Sequence, residues 1–245
     1  PYRFAAAAGG LSASPTHWWD MDTTTTGIDD QGTGGSGSPW ARLTNSSVVS
    51  ESSPYAAPNG GDSLYFSATA YLNRSSVAWT GAGNDWSVSL WFNPRNGFAS
   101  SGVGTMVGWF NSGASTDGIF WIREIYNPNR ALSLAIDDDW QSVQAESTAT
   151  LSTNTWYHVV TTWNNATNTV SQYIDDGNLI TATDINVANL PTAAMPFAIG
   201  AQANNTNGNR YEGNLWAIGI WDTILTASDV SYLFNSGTGR LYADL

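Results

Sequence analysis

Few residues in this chain are of a type and spacing that could do chemistry. His158 lies in the run WYHVVTTW, with Ser and Asp abundant elsewhere in the chain. A general base needs a nucleophile and an orienting partner, and no nucleophile elbow or other ordered motif accompanies it. His158 is therefore read as a packed, hydrogen-bonded structural histidine. The four Glu residues are scattered at 51, 124, 146 and 212, while Asp137, Asp138 and Asp139 follow one another in a turn. Retaining glycoside hydrolysis sets two carboxyls about 5–5.5 Å apart, and no acids stand at the strand spacing that would deliver this. Asp29 and Asp30 in an early loop, and Asp137 and Asp139 in the acidic run, are candidate ligands for one structural Ca2+. That ion takes six to eight oxygens from carboxylates and loop carbonyls. Trp140, directly after three Asp, and Tyr211, after NNTNGNR with its Asn204 and Asn207, are the candidate carbohydrate-binding residues. An exposed aromatic face stacks on a sugar ring while amides bond its hydroxyls.

The elements that must position these residues are mostly strands. In DWSVSLWFNP, Trp86, Val88, Leu90 and Phe92 share one face, Ser87, Ser89 and Trp91 share the other, and Pro94 ends the run. Further strands are expected at 105–110, 118–125, 131–136, 156–163, 169–174, 197–200 and 214–222. Residues 156–174 form a hairpin around NNATN, and Asp175-Asp176-Gly177 supplies a positive-φ position for the next tight turn. One helix is expected in TASDVSYLFNSG. Thr226 is its N-cap with Asp229 three residues on, Val230, Leu233 and Phe234 are its apolar stripe, and Gly237 is its C′ residue. The tracts 23–38 and 47–61 read as long loops. The whole is an all-β, antiparallel two-sheet jelly-roll sandwich with one short C-terminal helix, a single domain over 1–245. Residues 1–15 form either an N-terminal arm or a first strand.

Composition narrows the function. Eight Arg and no Lys face twenty acids, giving a net charge of −12 with only 11% charged residues. Such a surface repels phosphate backbones, so nucleic acid is excluded as a partner. No apolar run approaches the ~20 residues of a membrane-spanning helix. The absence of Cys excludes disulfides and thiolate chemistry. Abundant Gly, Ser, Thr, Asn and Ala with thirteen Trp suit a β-rich extracellular or particle-surface protein. The opening PYRFAAAAGG shows no signal-peptide h-region.

In order and spacing, the chain resembles the laminin-G-like jelly rolls of the concanavalin A-like lectin/glucanase superfamily. The motifs are HWWDMD (17–22) with DDQG (29–32), Ser87-Val-Ser-Leu-Trp91-Phe-Asn-Pro94, Trp156-Tyr-His158-Val-Val-Thr-Thr162-Trp163 and Tyr173-Ile-Asp-Asp-Gly177. Ile199-Gly200, Glu212-Gly-Asn-Leu-Trp-Ala-Ile-Gly-Ile-Trp221 and Leu225-Thr226 to Gly237 complete the series. The resemblance implies a fold whose members bind glycans, bind proteins or hydrolyse polysaccharides. In many relatives a Ca2+ ligand is an Asp at the position taken here by Trp216. Fold alone does not give function. The function expected is a non-enzymatic structural or binding protein at a phage virion surface: a capsid decoration, fibre or tail-associated subunit with a glycan-adhesion role. Virion or surface-layer proteins, a homo-oligomeric or multivalent assembly, and host glycans are the expected partners. The alternative is a secreted or cell-surface carbohydrate-binding adhesin, and a laminarinase-like hydrolase comes third.

Overall fold

The computed structural model describes residues 10–22, 27–33, 42–67, 69–77, 84–95, 103–110, 118–127, 129–136, 143–146, 151–176, 178–182, 195–201 and 210–245. In chain order its strands are β1 (His17–Trp19), β2 (Gly27–Asp29), β3 (Arg42–Ser46), β4 (Val49–Glu51), β5 (Ser63–Phe66) and β6 (Tyr71–Val77). Then come β7 (Trp86–Pro94), β8 (Val103–Phe110), β9 (Gly118–Asn127), β10 (Asn129–Ile136) and β11 (Val143–Glu146). The last are β12 (Tyr157–Asn164), β13 (Thr169–Ile174), β14 (Asn178–Ala182), β15 (Met195–Ile199) and β16 (Gly213–Trp221), followed by α1 (Ala227–Phe234). They form two antiparallel sheets. The first runs β14-β13-β12-β7-β16-β5-β4, with β1 also pairing β16, and the second runs β11-β10-β9-β8-β15-β6-β3-β2.

The alternation of β7 decides how the layers pack. Trp86, Val88, Leu90 and Phe92 are fully buried between the sheets, against Val107, Trp109, Ile122 and Phe197. Trp109 meets Phe197 edge-on, with ring centroids 5.7 Å apart. The opposite face of β7 is buried as well. Trp91 joins Trp18, Val160, Trp216, Trp221, Val230 and Leu233 in a second apolar cluster outside the first sheet. The amphipathic stripe of α1 and the C-terminal segment cover this face, so the sandwich gains a third layer there. Ser87 Oγ serves that layer by donating to Thr223 O and accepting from Leu225 N.

A bulge in β16 sets the local register. Between Trp216 and Gly219 the pairing with β7 shifts, and Ala217 takes φ 47°. Trp216 and Ala217 therefore both belong to the outer cluster, while Leu215 and Ile218 face the core.

The expected capping box is present. Thr226 Oγ1 accepts from Asp229 N, and Asp229 Oδ2 accepts from Thr226 N at 2.8 Å. The helix ends earlier than Gly237, on Asn235, which takes the left-handed conformation at φ 48°. An Asn tolerates that region and can act where a Gly usually does. In the hairpin turn the left-handed values fall on Asp175 (φ 49°) and Asp176 (φ 61°), and Gly177 lies outside the described residues. The tracts 23–38 and 47–61 are not loops throughout, since β2 and β4 lie within them. Strands of three residues carry too little pattern to be read from sequence. Residues 1–9 lie outside the described residues. The segment from Gly10 to Ala13 is tied into this domain: Leu11 and Ala13 pack on the outer cluster, and Ser12 N donates to Asp229 Oδ1 at 2.7 Å.

Candidate functional site

The candidate residues from sequence divide sharply. Asp137, Asp139, Trp140, Asn204 and Asn207 lie outside the described residues. Tyr211 is a correction. Its ring is 0% exposed in the inter-sheet core, and its hydroxyl donates to Asn214 O at 3.2 Å. A ring with no exposed face offers no platform to a sugar. The polar loop before Tyr211 suggested an exposed position, but the chain turns inward there and Gly213 leaves room for the hydroxyl.

Asp30 is also turned to structural use. Oδ1 accepts from Trp18 N and Gly32 N, both at 2.9 Å, and Oδ2 pairs with His17 Nδ1 at 2.6 Å. Its side chain is fully buried. Three donors thus hold this carboxylate inside the fold. Asp29 is exposed in β2. Among the described residues no group of three or more His, Asp or Glu is placed to hold a metal ion. At the position where the family resemblance implies an Asp ligand, Trp216 offers a donor and no acceptor. Asp29 and Asp30 by themselves fall short of the six to eight oxygens that a Ca2+ takes.

His158 is 1% exposed. Its Nε2 bonds Ser89 Oγ at 2.9 Å, and its ring stacks on Trp91 at 4.9 Å and on Phe234 at 6.1 Å. Burial lowers its pKa to about 3, because a charged imidazolium is poorly solvated under the helix. Asp175 Oδ1 accepts from the His158 backbone N at 2.8 Å and does not reach the ring nitrogen as an orienting acid would. This is a neutral packing histidine, as its sequence context indicates.

The structure assembles a different site. A cleft of about 170 Å3 is lined by Asp22, Asn59, Gly61, Asp62, Trp216 and Leu241. Asp20 positions two of its walls. Ala217 N donates to Asp20 O at 3.0 Å and so sets Trp216 in the bulge, and Tyr242 N donates to Asp20 Oδ1 at 2.8 Å and so sets Leu241. Trp18 Nε1 also donates to Asp20 Oδ1, at 2.6 Å. Burial raises the Asp20 pKa, and these hydrogen bonds oppose the rise. Ser50 Oγ links the two acidic segments, lying 3.1 Å from Asp22 O and 3.2 Å from Asp62 Oδ2. Asn59 Oδ1 accepts from Gly61 N at 2.9 Å, which folds the Asn-Gly-Gly-Asp turn.

That turn belongs to a strap, residues 52–62, laid over the outer face of the first sheet. Trp156 Nε1 donates to Ala56 O at 2.8 Å, and Ser63 Oγ donates to Tyr55 O at 2.9 Å. The Arg95 guanidinium lies 3.2 Å from the Tyr55 ring centroid and 4.6 Å from that of Tyr65 while paired with Glu51. Asn214 Nδ2 donates to Glu51 Oε2 at 3.2 Å and to Ser63 Oγ at 2.9 Å. Two of the four scattered Glu residues, 51 and 212, thus meet around one Arg and Tyr65. Burial, followed by Glu212, raises the Tyr65 pKa.

The lining of the cleft is mixed: Asp22, Asn59 and Asp62 are polar, Leu241 and Trp216 are apolar, and Trp216 is itself fully buried. Among the described residues, the buried Trp216 Nε1 has no hydrogen-bond partner. Reading residues singly missed Asp22 inside HWWDMD, and Asn59 and Asp62 inside PNGGD. The turn composition of PNGGD is the one local signal that could have flagged the latter pair.

Comparison with known proteins agrees on the fold. The Laminin_G_3 family of the concanavalin A-like lectin/glucanases superfamily matches residues 66–231. No curated protein is significantly similar in sequence. Among solved structures, domain 4 of AbnA, a GH43 extracellular arabinanase from Geobacillus stearothermophilus in complex with arabinotriose, superposes with a TM-score of 0.63 at 15% identity, over 89% of this chain and 96% of that one. The SAP-like pentraxin of Limulus polyphemus superposes with a TM-score of 0.53 at 17% identity, over 69% of this chain and 76% of that one. A Trypanosoma rangeli sialidase gives a TM-score of 0.63 at 14% identity, covering 92% of this chain and 33% of the sialidase. Identities this low establish a shared fold and nothing about activity, and the fold is common to glycosidases and lectins. With its family matched over most of its length, the chain belongs to the laminin-G-type family of the concanavalin A-like lectin/glucanases superfamily.

Proposed function

We propose that this chain is a non-enzymatic carbohydrate-binding domain that acts on the outside of a particle or cell. The observation that carries this reading is the mixed polar and apolar lining of the Asp22–Asn59–Asp62–Trp216–Leu241 cleft. Sugar rings present hydroxyls at their edges and C–H groups on their faces, so polar Asp22, Asn59 and Asp62 beside the apolar Leu241 suit them, with the fully buried Trp216 packed behind the wall and offering no stacking face. The low-charge, Ser/Thr/Asn-rich composition agrees with an outside surface. The arabinotriose held by the arabinanase domain is consistent with a sugar ligand on this fold. Among the described residues no helix is long and apolar enough to cross a membrane. A virion surface is the setting proposed first, with the chain as a phage decoration, fibre or tail-associated subunit in a homo-oligomeric or multivalent array. A secreted or cell-surface adhesin is the second setting.

Hydrolysis is the rival reading, because Asp22 and Asp62 flank one cleft. A general acid needs its carboxyl desolvated, whereas Asp62 is exposed. The test is a glycan array with the purified domain, run beside a reducing-sugar assay on each glycan retained. Retention without release supports a binding module. Release that disappears in Asp62→Asn would make the chain a hydrolase. Mass spectrometry of purified virions, set against a cell-surface fraction, decides the setting.

A further inference from the structure

The strap turns back on itself at Ala57-Pro58-Asn59-Gly60-Gly61. On this turn alone, and independently of the carbohydrate reading above, we propose that Asn59 is a site of spontaneous modification. There the native chain slowly converts a neutral amide into a carboxylate, by ring closure onto the Gly60 nitrogen. Among the described residues, Asn59 is the one Asn followed by Gly. The Asn-Gly pairs at 96 and 207 lie outside the described residues. Asn59, Gly60 and Gly61 are all exposed. Asn59 Oδ1 accepts from Gly61 N at 2.9 Å, which folds the side chain back along the backbone that follows it. A Cβ built on Gly61 would lie 3.2 Å from that Oδ1, whereas a Cβ on Gly60 would meet nothing within 4 Å. Gly60 also takes φ 86°, a region that glycine enters without strain. The Gly60 nitrogen therefore carries no side chain to block the amide, and the turn has open space in which to reshape.

Water and its hydroxide are the only co-reactants. Hydroxide removes the Gly60 amide proton, and the nitrogen attacks Asn59 Cγ. A Cγ–N bond forms, and negative charge develops on Oδ1, which the Gly61 N–H already faces as a fixed donor. The Cγ–Nδ2 bond then breaks, and Nδ2 takes a proton from water and leaves as ammonia. The cyclic imide that remains adds water at either of its carbonyls. One product is an ordinary aspartate at position 59. The other is an isoaspartyl link, with the main chain rerouted through Cβ and Cγ. Either product adds a negative charge to the cleft lining that holds Asp22 and Asp62. Two turn bonds oppose the step: Gly60 N donates to Ala57 O at 2.8 Å, and Ala57 N donates to Gly61 O at 2.8 Å. The first must open before the nitrogen can lose its proton, so the folded chain reacts more slowly than the unfolded one. Bonds in an exposed turn open at low cost, so the native chain reaches the reactive state without unfolding globally.

The test is peptide mass spectrometry of the whole native chain after warm incubation, with pepsin digestion in acid and isoaspartyl methyltransferase labelling of the products. A sample in urea supplies the unfolded rate, and peptide mapping separates position 59 from 96 and 207. Conversion at Asn59 should outrun that at Asn154 and Asn165, which are exposed but precede Thr and Ala. It should yield both aspartate and isoaspartate, and it should be slower than in urea. Because the attacking species is a deprotonated amide, the rate should rise about tenfold from about pH 7 to about pH 8. Asn59→Gln should remove nearly all product at this position, since the longer side chain closes a less favourable ring. Gly60→Ala should slow the reaction by crowding the nitrogen. Thermal melts confirm that both variants are folded, and the wild-type pH dependence stands without them. Asn59 left intact in the native chain while it converts in urea would overturn the proposal, because the turn bonds would then protect it. Conversion in neither state would overturn it as well. So would aspartate as the only product, a rate that ignores pH, or a rate no faster than at Asn154 and Asn165, since each would remove ring closure onto Gly60.

Discussion

Replacing Asp30 with Ala should be among the most damaging single changes to a polar residue of this domain, because its carboxylate is held by protein donors. The carboxylate accepts from Trp18 N and Gly32 N at 2.9 Å each and pairs with His17 Nδ1 at 2.6 Å. Two of these donors lie in β1, which ties residues 17–19 to β16, and the third follows β2. Hydrogen bonds to a charged group each contribute about 1.5–3 kcal/mol, though such values do not simply add. Removing one partner of a buried pair typically costs about 3–5 kcal/mol, and that is the magnitude expected here. In a chain of 245 residues each kcal/mol moves Tm by roughly 2–4 °C, so Tm should fall by roughly 6–20 °C. Asp30→Asn retains one carbonyl acceptor and should lose about half as much. The assay is calorimetry of wild type and both variants, with and without EDTA. A loss below ~1 kcal/mol in Asp30→Ala would refute the locking role. So would a chelator-induced drop in wild type that matches the variant, because Asp30 would then be holding a cation.

Three further outcomes rest on the same geometry. Gly239 sits at φ 65°, and a Cβ there would lie 2.3 Å from Trp216 Cζ3, so Gly239→Ala should cost about 2–4 kcal/mol and disturb the cleft wall, checked by urea unfolding and sugar titration. His158 stays neutral in the fold down to about pH 3, against 6.5 in the unfolded chain. The unfolded state therefore takes up the proton first, and stability complete above pH 6.5 falls as pH drops toward 3, by up to about 4–5 kcal/mol. His158→Phe should flatten urea-melt stability between pH 4 and 6.5, and an unchanged slope would mean that other groups set it. Asp229 accepts four hydrogen bonds, from Ser12 N and Oγ and from Thr226 N and Oγ1. Asp229→Ala should cost about 2–4 kcal/mol and speed exchange of amides in α1, as measured by hydrogen exchange.

The sequence by itself determined the features that repeat or act locally. The period-2 alternation of Trp86 to Phe92 specifies a strand with one face in the inter-sheet core, because successive side chains must point oppositely. The Thr226–Asp229 box specifies where the helix starts, since both halves lie within one turn. The aromatic flanks of His158 mark it as packed. What no local pattern carries is which distant residues meet. The cleft joins Asp22, Asp62, Trp216 and Leu241, and its keystone bond, Tyr242 N to Asp20 Oδ1, spans 222 positions. Asp30 and Tyr211 look like exposed functional residues in their polar neighbourhoods. Tertiary structure buries both, because the chain folds back on them there and their polar atoms find partners in β1 and β16. Trp216 reads as one more core aromatic. A one-residue bulge turns it and Ala217 together onto the outer face, and only the packing of β16 between β7 and β1 decides that shift of register.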